Sequence, residues 1–211
     1  SQMSDRHQVQ IFAIDVQATP LNDAFAAADS LDIESAYSTL QRRIPLGASD
    51  LYQGLSVAMD ALAPQSTRSI VYFGDGMSAA GIIPPDEMRD LVQRLQKTQT
   101  PVHSFAVGPK TDLQLLGSLA QFSGGTVMVD GAVQTSEDSK LIATQFIQAV
   151  DIPVEYPASI DFGDSTARIF PKSALPLRSD RETIYIGQGA IPSHVKVHMQ
   201  GDATQQFVVD A

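Results

Sequence analysis

Two aspartates and a serine are the residues whose types and positions could do chemistry. Asp75 directly follows the apolar run Ile70–Gly74, and Asp15 ends the similar run that starts at Val9. Such runs are typical of buried parallel strands, and the ligands of open α/β sheets gather at the carboxyl ends of those strands. Ser49 precedes a helical segment, where its hydroxyl and the free helix amides would face a neighbouring strand end. From its position alone Asp75 could hold a metal, take part in a phosphate reaction or only cap a turn.

Oxygen is the main ligand type that this sequence offers to a metal. The chain has no cysteine, which excludes disulfides, thiol catalysis and cysteine-bearing zinc sites. Mg²⁺ prefers near-octahedral oxygen coordination and Ca²⁺ takes more oxygens still, so Ser49 and Asp75 alone would bind either ion weakly or not at all. Two simpler roles stay open: Asp75 as a strand-end carboxylate that accepts from a loop amide, and Ser49 as the N-cap of the next helix.

Histidine gives weaker signals. His103 lies inside an apolar strand and is predicted to be a hydrogen-bonded core or subsurface residue and not a ligand. His194 and His198 are four residues apart on an alternating strand and share one face of it. Because no carboxylate lies close to them in the sequence, we interpret them as exposed strand positions and not as metal ligands.

Length and charge exclude several classes of function. With 211 residues, 43% of them hydrophobic, the chain can form one mid-sized domain and a small annex. Its 24 acidic and 14 basic residues give a formal charge of -10, which opposes nucleic acid and anionic membranes and suits cations or basic partners. No apolar run approaches the roughly 20 residues of a membrane helix, and the start of the chain does not have the pattern of a signal peptide.

Strand-like and helix-like segments alternate over residues 1–150. The first helix, 31–43, is predicted to begin after an N-cap at Ser30 and to carry Ile33, Tyr37 and Leu40 on one face. Alternation of this type predicts a mostly parallel sheet with helices on both faces, a three-layer Rossmann-type α/β sandwich. The other predicted segments are strands at 9–15, 70–74, 102–108 and 126–129 and helices at 51–62, 86–97, 111–121 and 136–150.

A change in pattern near residue 150 predicts a domain boundary. Residues 151–211 contain short alternating segments separated by Gly, Pro and Asp, which favour antiparallel strands. The predicted strands lie at 160–162, 166–170, 183–186, 195–199 and 206–209. About 60 residues are few for an independent sandwich, so we expect this annex to pack on the first domain or to complete a sheet supplied by other sequence.

Four segments together resemble a von Willebrand factor A domain. In that family a Gly-Gly-Thr-Asp-Leu loop and a Thr-Asp-Gly strand end help to form a metal-ion-dependent adhesion site. The resemblance matches Ser49 to the metal-binding hydroxyl of the loop and Asp75 to the strand-end aspartate, with Gly74 in place of the usual threonine. The segments that carry the resemblance are Pro45–Leu51, Ile70–Gly76, Val102–Gly108 and Leu115–Gly125.

The annex resembles the β segment that follows the A domain in inter-alpha-trypsin inhibitor heavy chain-like proteins, notably at Ile160–Gly163 and Arg168–Pro171. Together the two resemblances imply a non-enzymatic module for protein interaction or adhesion, outside the cytoplasm, that uses Mg²⁺ or Ca²⁺ when its metal motif is whole. They imply a protein partner, and they imply neither nucleic-acid binding nor membrane insertion.

The family's Asp-x-Ser-x-Ser element, which ends its central first strand, has no good match. Asp15 begins the only candidate, in which Gln17 replaces the first hydroxyl residue. Asp15 also lies too close to Ser49 for the elements that normally intervene, which favours a first strand upstream of residue 1 over a degenerate motif at Asp15. An omitted central strand leaves unpaired amides. We expect the chain to close that gap by moving the strand 9–15 beside the Asp75 strand, or by strand exchange in a dimer.

A haloacid-dehalogenase-like phosphatase is the alternative function. The strand end at Asp15 resembles that family's Asp-x-Asp-x-Thr element, and Gly74-Asp75-Gly76 resembles its acidic turn; there an aspartate attacks phosphorus while Mg²⁺ offsets the charge. Gln17 replaces the acid-base carboxylate, however, and no lysine lies between Thr19 and Asp75 to balance a phosphate.

Overall fold

The structure is a computed structural model that describes residues 7–44, 47–62, 67–129, 135–163, 166–199 and 204–208, with only the backbone for residues 136, 166, 167 and 206. Helices and strands alternate in its first part, and short strands follow. In chain order the elements are β1 (Gln8–Val9), β2 (Phe12–Ile14), β3 (Ala18–Pro20), β4 (Ala26–Ala27), α1 (Ile33–Arg42), α2 (Leu51–Leu62), β5 (Ile70–Gly74), α3 (Pro85–Lys97), β6 (Val102–Ala106), α4 (Leu113–Ser123), β7 (Val127–Val129), α5 (Ser136–Asp151), β8 (Val154–Glu155), β9 (Pro157–Asp161), β10 (Thr166–Phe170), β11 (Leu177–Arg178), β12 (Ile186–Gly189), β13 (His194–Met199) and β14 (Thr204–Val208).

A parallel sheet in the order β5-β6-β7 forms the centre of the first part. Its residues alternate between two covered faces, as the pleat of a strand requires. On one face Ile70 and Val102 pack against α2, α3 and α4, and on the other Phe105 contacts Phe146 of α5 at 5.9 Å between ring centroids. The core of the first face consists of Leu51, Leu55, Met59, Ile70, Leu91, Leu95, Val102 and Leu119. The predicted three-layer α/β arrangement is confirmed.

The helix boundaries follow local sequence signals. Pro85 is the first residue of α3, where its fixed φ suits the helix and its missing N–H costs nothing. Asp112 caps α4 by accepting from the amide of Leu115, and Gly124 ends that helix in the left-handed region with φ 86°. These boundaries agree with the predicted segments to within two or three residues.

The N-terminal strands differ from the prediction. The segment predicted as one strand splits in two: β1 pairs with β4, and β2 pairs antiparallel with β3. Within the described part of the chain no ladder joins β2 to β5. The expectation that this segment moves beside the Asp75 strand is therefore wrong. Helix α2 packs across the interval between the two strands, since Ile14 of β2 lies against Gly54 and α2 also contacts β5.

Helix α1 also departs from its prediction. Its N-cap is Asp32, whose carboxylate accepts from the amide of Ser35 at 2.9 Å, so the helix begins two residues later than expected. Ile33, Tyr37 and Leu40 share a face as predicted, but they are 55%, 59% and 46% exposed. Periodicity identifies the apolar face of a helix, but it does not identify an element that covers the face.

The annex consists of small antiparallel sheets. Strands β14, β13 and β9 form one sheet in that order, β10 pairs with β12, and β11 pairs with β8. The predicted strand 183–186 is displaced to Ile186–Gly189, a segment whose two glycines give it a weak strand signal. The predicted boundary between 1–150 and 151–211 stays a prediction.

Candidate functional site

The Asp75 turn is built from contacts at the carboxyl end of β5. One carboxylate oxygen of Asp75 accepts from the amide of Met77 at 2.9 Å, and its carbonyl accepts from the amide of Asp112 at 2.7 Å. Gly76 has φ +76°, where a side chain would be strained, and a Cβ there would come within 2.8 Å of Leu116. The turn is therefore held between the start of α4 and its own loop amides.

Tyr72 occupies the space that a side chain at position 74 would need. The Tyr72 hydroxyl accepts from the amide of Gly76 at 3.2 Å, within the turn. A Cβ at Gly74 would overlap that hydroxyl. Burial raises the pKa of Tyr72, and the negative charge of Asp75 raises it further. The hydroxyl therefore stays protonated, and the turn is supported by a tyrosine that the sequence comparison with the family did not identify.

Ser49 reaches the same turn from the preceding loop. Its hydroxyl donates to the carbonyl of Met77 at 2.8 Å, and its own carbonyl accepts from the amide of Ala80 at 3.0 Å. Ser49 and Asp75 thus contact the two backbone polar groups of one residue. The structure brings the two predicted site residues together at one corner.

The N-cap role considered for Ser49 is wrong. Asp50 caps α2 instead, because its carboxylate accepts from the amide of Gln53 at 2.9 Å, the geometry of an N-cap to the third helical residue. Ser78 adds a hydroxyl that accepts from the amide of Leu51 at 3.1 Å. The loop after Asp75 and the start of α2 are therefore connected through two serine hydroxyls.

Asp15 lies at the carboxyl end of β2 and is paired with an arginine. Its carboxylate accepts from the Arg43 guanidinium at 2.6 Å and from the amide of Gln17 at 3.0 Å. The Gln17 amide and the Arg43 guanidinium together lower the pKa of Asp15. The carbonyl of Asp15 accepts from the amide of Asp50 at 2.8 Å, so the ends of β2 and β5 lie on the same side of the molecule. The spacing of Arg43 gave no sign of this ion pair.

The residues present do not fit a complete metal site. Across the described ranges, no group of three or more histidine or carboxylate side chains is arranged to hold an ion. The Ser49 hydroxyl and one oxygen of Asp75 are already engaged with Met77. His194 and His198 hydrogen-bond instead to Ser193 and Thr204.

One edge of β5, the strand that ends at this corner, is free of any described strand. Among the residues that the structure describes, β5 pairs only with β6, and β2 pairs only with β3 in a separate sheet. Phe73 of β5 is 67% exposed although its ring contacts Phe105 and Phe146 at 6.0 Å. Phe73 is therefore an exposed apolar side chain on the strand whose other edge is unpaired among the described residues. A different property concerns the helices: among those that the structure describes, none has both the length and the apolar composition needed to span a membrane.

Comparison with protein families gives one match that spans most of the chain. The family model described as von Willebrand factor type A domain matches residues 1–129. No curated protein matches the sequence significantly.

Solved structures with a similar fold agree with this match. A von Willebrand factor type A structure from Catenulispora acidiphila is 12% identical and has a TM-score of 0.62; the match covers 97% of this chain and 56% of that one. The match to a human COPII-coat protein has 10% identity and a TM-score of 0.53, and it covers 96% of this chain and 38% of that one. The chain thus spans about half the length of the first of these structures. At such identities the likeness concerns the fold alone.

Proposed function

The chain belongs to the von Willebrand factor type A domain family, and from this premise we propose that it is a non-enzymatic protein-interaction module. Its contact surface is the corner where β2 and β5 end, around Ser49 and Asp75. Domains of this family are in general modules of protein interaction. The observation that carries the proposal is the meeting of Ser49 and Asp75 on the backbone of Met77.

The exposure of the corner supports a contact with another protein. Met77 and Val107 are 44% and 40% exposed beside the polar groups of the site. An apolar rim around a few directed polar groups is the usual composition of a specific contact. A strand-end corner on a rigid parallel sheet also holds its loops in one geometry, which favours affinity because little order is lost on binding.

The metal site in this proposal is incomplete without a further strand. A strand placed between β2 and β5 would pair with both free edges, and its carboxyl end would arrive at Ser49 and Asp75. A divalent ion held there by added oxygens would connect the corner to a carboxylate of the partner. Two observations on the described residues support this view: β2 and β5 each pair on one edge, and few oxygen ligands lie at the corner. Strand exchange between two copies is one way to supply the added strand.

Titration with Mg²⁺ and with Ca²⁺ tests the incomplete site. We expect calorimetry to detect no binding tighter than millimolar to this chain, because Ser49 and Asp75 supply too few oxygens. Asp75→Asn should leave the titration unchanged, as should Asp90→Asn, a matched exposed carboxylate on α3. Micromolar binding that is abolished by Asp75→Asn and retained in Asp90→Asn would show that the site is complete.

Phosphatase activity remains the alternative function, and membership of the von Willebrand factor A family argues against it. The Arg43 guanidinium holds the carboxylate that would have to attack phosphorus, Asp15. We expect no Mg²⁺-dependent turnover of a fluorogenic phosphate ester. Turnover that depends on Mg²⁺ and disappears in Asp15→Asn, while the variant keeps its circular dichroism spectrum, would overturn the proposed function.

A further inference from the structure

A cavity of about 610 Å³ lies in the annex, far in sequence from the strand-end corner. Its walls come from the end of β9, from β10 and from the segment that follows β10. The volume is within the range of roughly 300–1,000 Å³ found for ligand clefts. The lining residues used below are Asp161, Phe162, Arg168, Phe170, Lys172 and Tyr185.

The cavity lies between two strands that do not pair with each other. Strand β9 has β13 as its neighbour and β10 has β12, and neither β13 nor β12 contributes a residue to the walls. The walls therefore come from the opposite edges of β9 and β10. Along those edges the described residues form no backbone ladder, so amides and carbonyls of both strands are available to an added strand.

The cavity also offers apolar surface of the kind that side chains of an extended peptide need. The rings of Phe162 and Tyr185 lie 5.2 Å apart, and the Tyr185 hydroxyl is fixed because it accepts from the amide of Leu175 at 2.7 Å. At the rim, Phe170 and Ile186 are cross-strand partners on one face of the β10–β12 ribbon. They are 58% and 71% exposed.

Two cations give the cavity a charge that contrasts with the chain as a whole. Arg168 and Lys172 line the walls, and neither forms an ion pair with any described residue. Among the described residues of the lining, Asp161 is the single acid, and one of its oxygens accepts from the amide of Gly163 at 2.8 Å. In a chain with a formal charge of -10, this is a site that favours an anionic group.

We propose that this annex cavity binds an extended peptide segment of a partner protein, one that carries a carboxylate side chain. The segment lies between β9 and β10 and forms backbone hydrogen bonds with their open edges. Alternate side chains enter the cavity beside Phe162 and Tyr185, while the carboxylate pairs with Arg168 and Lys172. Backbone pairing supplies affinity in this mode, and the side-chain contacts supply specificity. The site goes beyond the proposed function, since it uses no residue of the Ser49 corner.

A charge-exchange experiment tests the proposal. The probe is a fluorescein-labelled peptide of about nine residues that alternates valine and threonine around a central glutamate, compared with the same peptide carrying lysine at the centre. Fluorescence anisotropy should show that the glutamate peptide binds about tenfold tighter or more, a difference of about 1.4 kcal/mol. The double variant Arg168→Glu, Lys172→Glu should reverse this preference. Both side chains are exposed, so the variant is expected to fold, and its melting temperature checks this.

Hydrogen exchange distinguishes strand addition from a simple charge contact. Bound glutamate peptide should slow amide exchange in β9 and β10, because their edges become paired. Equal binding of the two peptides, no binding of either, or tighter binding of the glutamate peptide without slower exchange in these strands would each overturn the proposal. Asp75→Asn should bind the peptide as the wild type does, so a failure of the Ser49 corner as an interaction site leaves this test unaffected.

Discussion

Replacing Gly125 with alanine is expected to cost at least about 3 kcal/mol of the free energy of unfolding, the upper part of the usual range for overpacking. Gly125 is buried between the end of α4 and β7. A Cβ at this position would overlap the carbonyl of Val102 and lie 2.9 Å from its amide nitrogen. The atoms in the way belong to the backbone of the central strand β6, so no side-chain rotation can make room.

Gly117 provides the matched control within the same helix and turn region. A Cβ at Gly117 meets nothing within 4 Å, and the residue lies in the interior of α4. Gly117→Ala should therefore stabilise the chain by about 0.5–1 kcal/mol through helix propensity. Urea unfolding followed by circular dichroism measures both variants. Similar midpoints for Gly125→Ala and the wild type would show that the contact between α4 and β6 is much looser than the structure has it.

The parallel sheet and its helices could be predicted because their signals are local. The run Ile70–Gly74, the stripe of α2 and the proline at the start of α3 each report a neighbouring backbone conformation or a buried face. The exposure of the apolar face of α1 could not be predicted, because a helix face is buried only where another part of the chain packs on it. The same reason explains why the segment 9–15 was expected to pair with β5: the pattern of a strand does not name its partner.

The two main residues of the candidate site could be predicted from the sequence, but the side chains that hold the site in place could not. Ser49 and Asp75 follow from strand-end chemistry and from the family resemblance. The support from Tyr72 could not be predicted, because no general sequence pattern shows that its hydroxyl lies where a Cβ at Gly74 would be. The pairing of Asp15 with Arg43 joins residues from separate elements, and only the folded chain shows it.

Contacts between the annex and the first part of the chain were equally hidden in the sequence. Arg178, 6% exposed, donates to the carbonyls of Gly124 and Ala149 near the carboxyl ends of α4 and α5, and pairs with Asp180 at 2.8 Å. Arg181 donates to the carbonyl of Gly125 at 2.6 Å. Cations at helix carboxyl ends offset the partial negative charge there and satisfy carbonyls that have no intrahelical partner. Of the two alternatives expected for the annex, packing on the first part of the chain or completing a sheet supplied by other sequence, these contacts agree with the first.

These arginines also contribute to the lowered pKa of a buried histidine. His103 is 0% exposed in β6, and its Nδ1 hydrogen-bonds with the Thr126 hydroxyl at 3.0 Å, which confirms its predicted role as a core residue. Its ring meets Phe146 edge-on at 6.5 Å. Burial lowers the pKa of His103 from 6.5 to about 4, and the charges of Arg178 and Arg181 contribute, against a smaller opposite effect of Asp180. The folded chain therefore keeps this imidazole neutral at physiological pH.

Acid should destabilise the fold through His103 before it acts on the carboxylates. The pKa is lower in the folded state than in the unfolded state, so between about pH 6.5 and pH 4 only the unfolded chain takes up the proton. The contribution of the neutral His103 to the free energy of unfolding is fully present above this window and decreases as the pH falls through it. At 1.36 kcal/mol per unit of pKa, the total loss is about 3 kcal/mol. Asp15 and Asp180, whose pKa values are lowered from 3.8, lose their contributions only at lower pH.

His103→Gln isolates this effect, because glutamine has no titratable group and its amide can still hydrogen-bond with Thr126. The variant loses some packing at every pH, so the quantity to compare is the slope of unfolding free energy against pH and not its value. Urea unfolding between about pH 7 and pH 4.5 should give a steep slope for the wild type and for His194→Gln, an exposed control, and a much flatter one for His103→Gln. Equal slopes in all three proteins would mean that His103 takes up its proton in the folded state, and that the buried cluster with Arg178 and Arg181 tolerates a third positive charge.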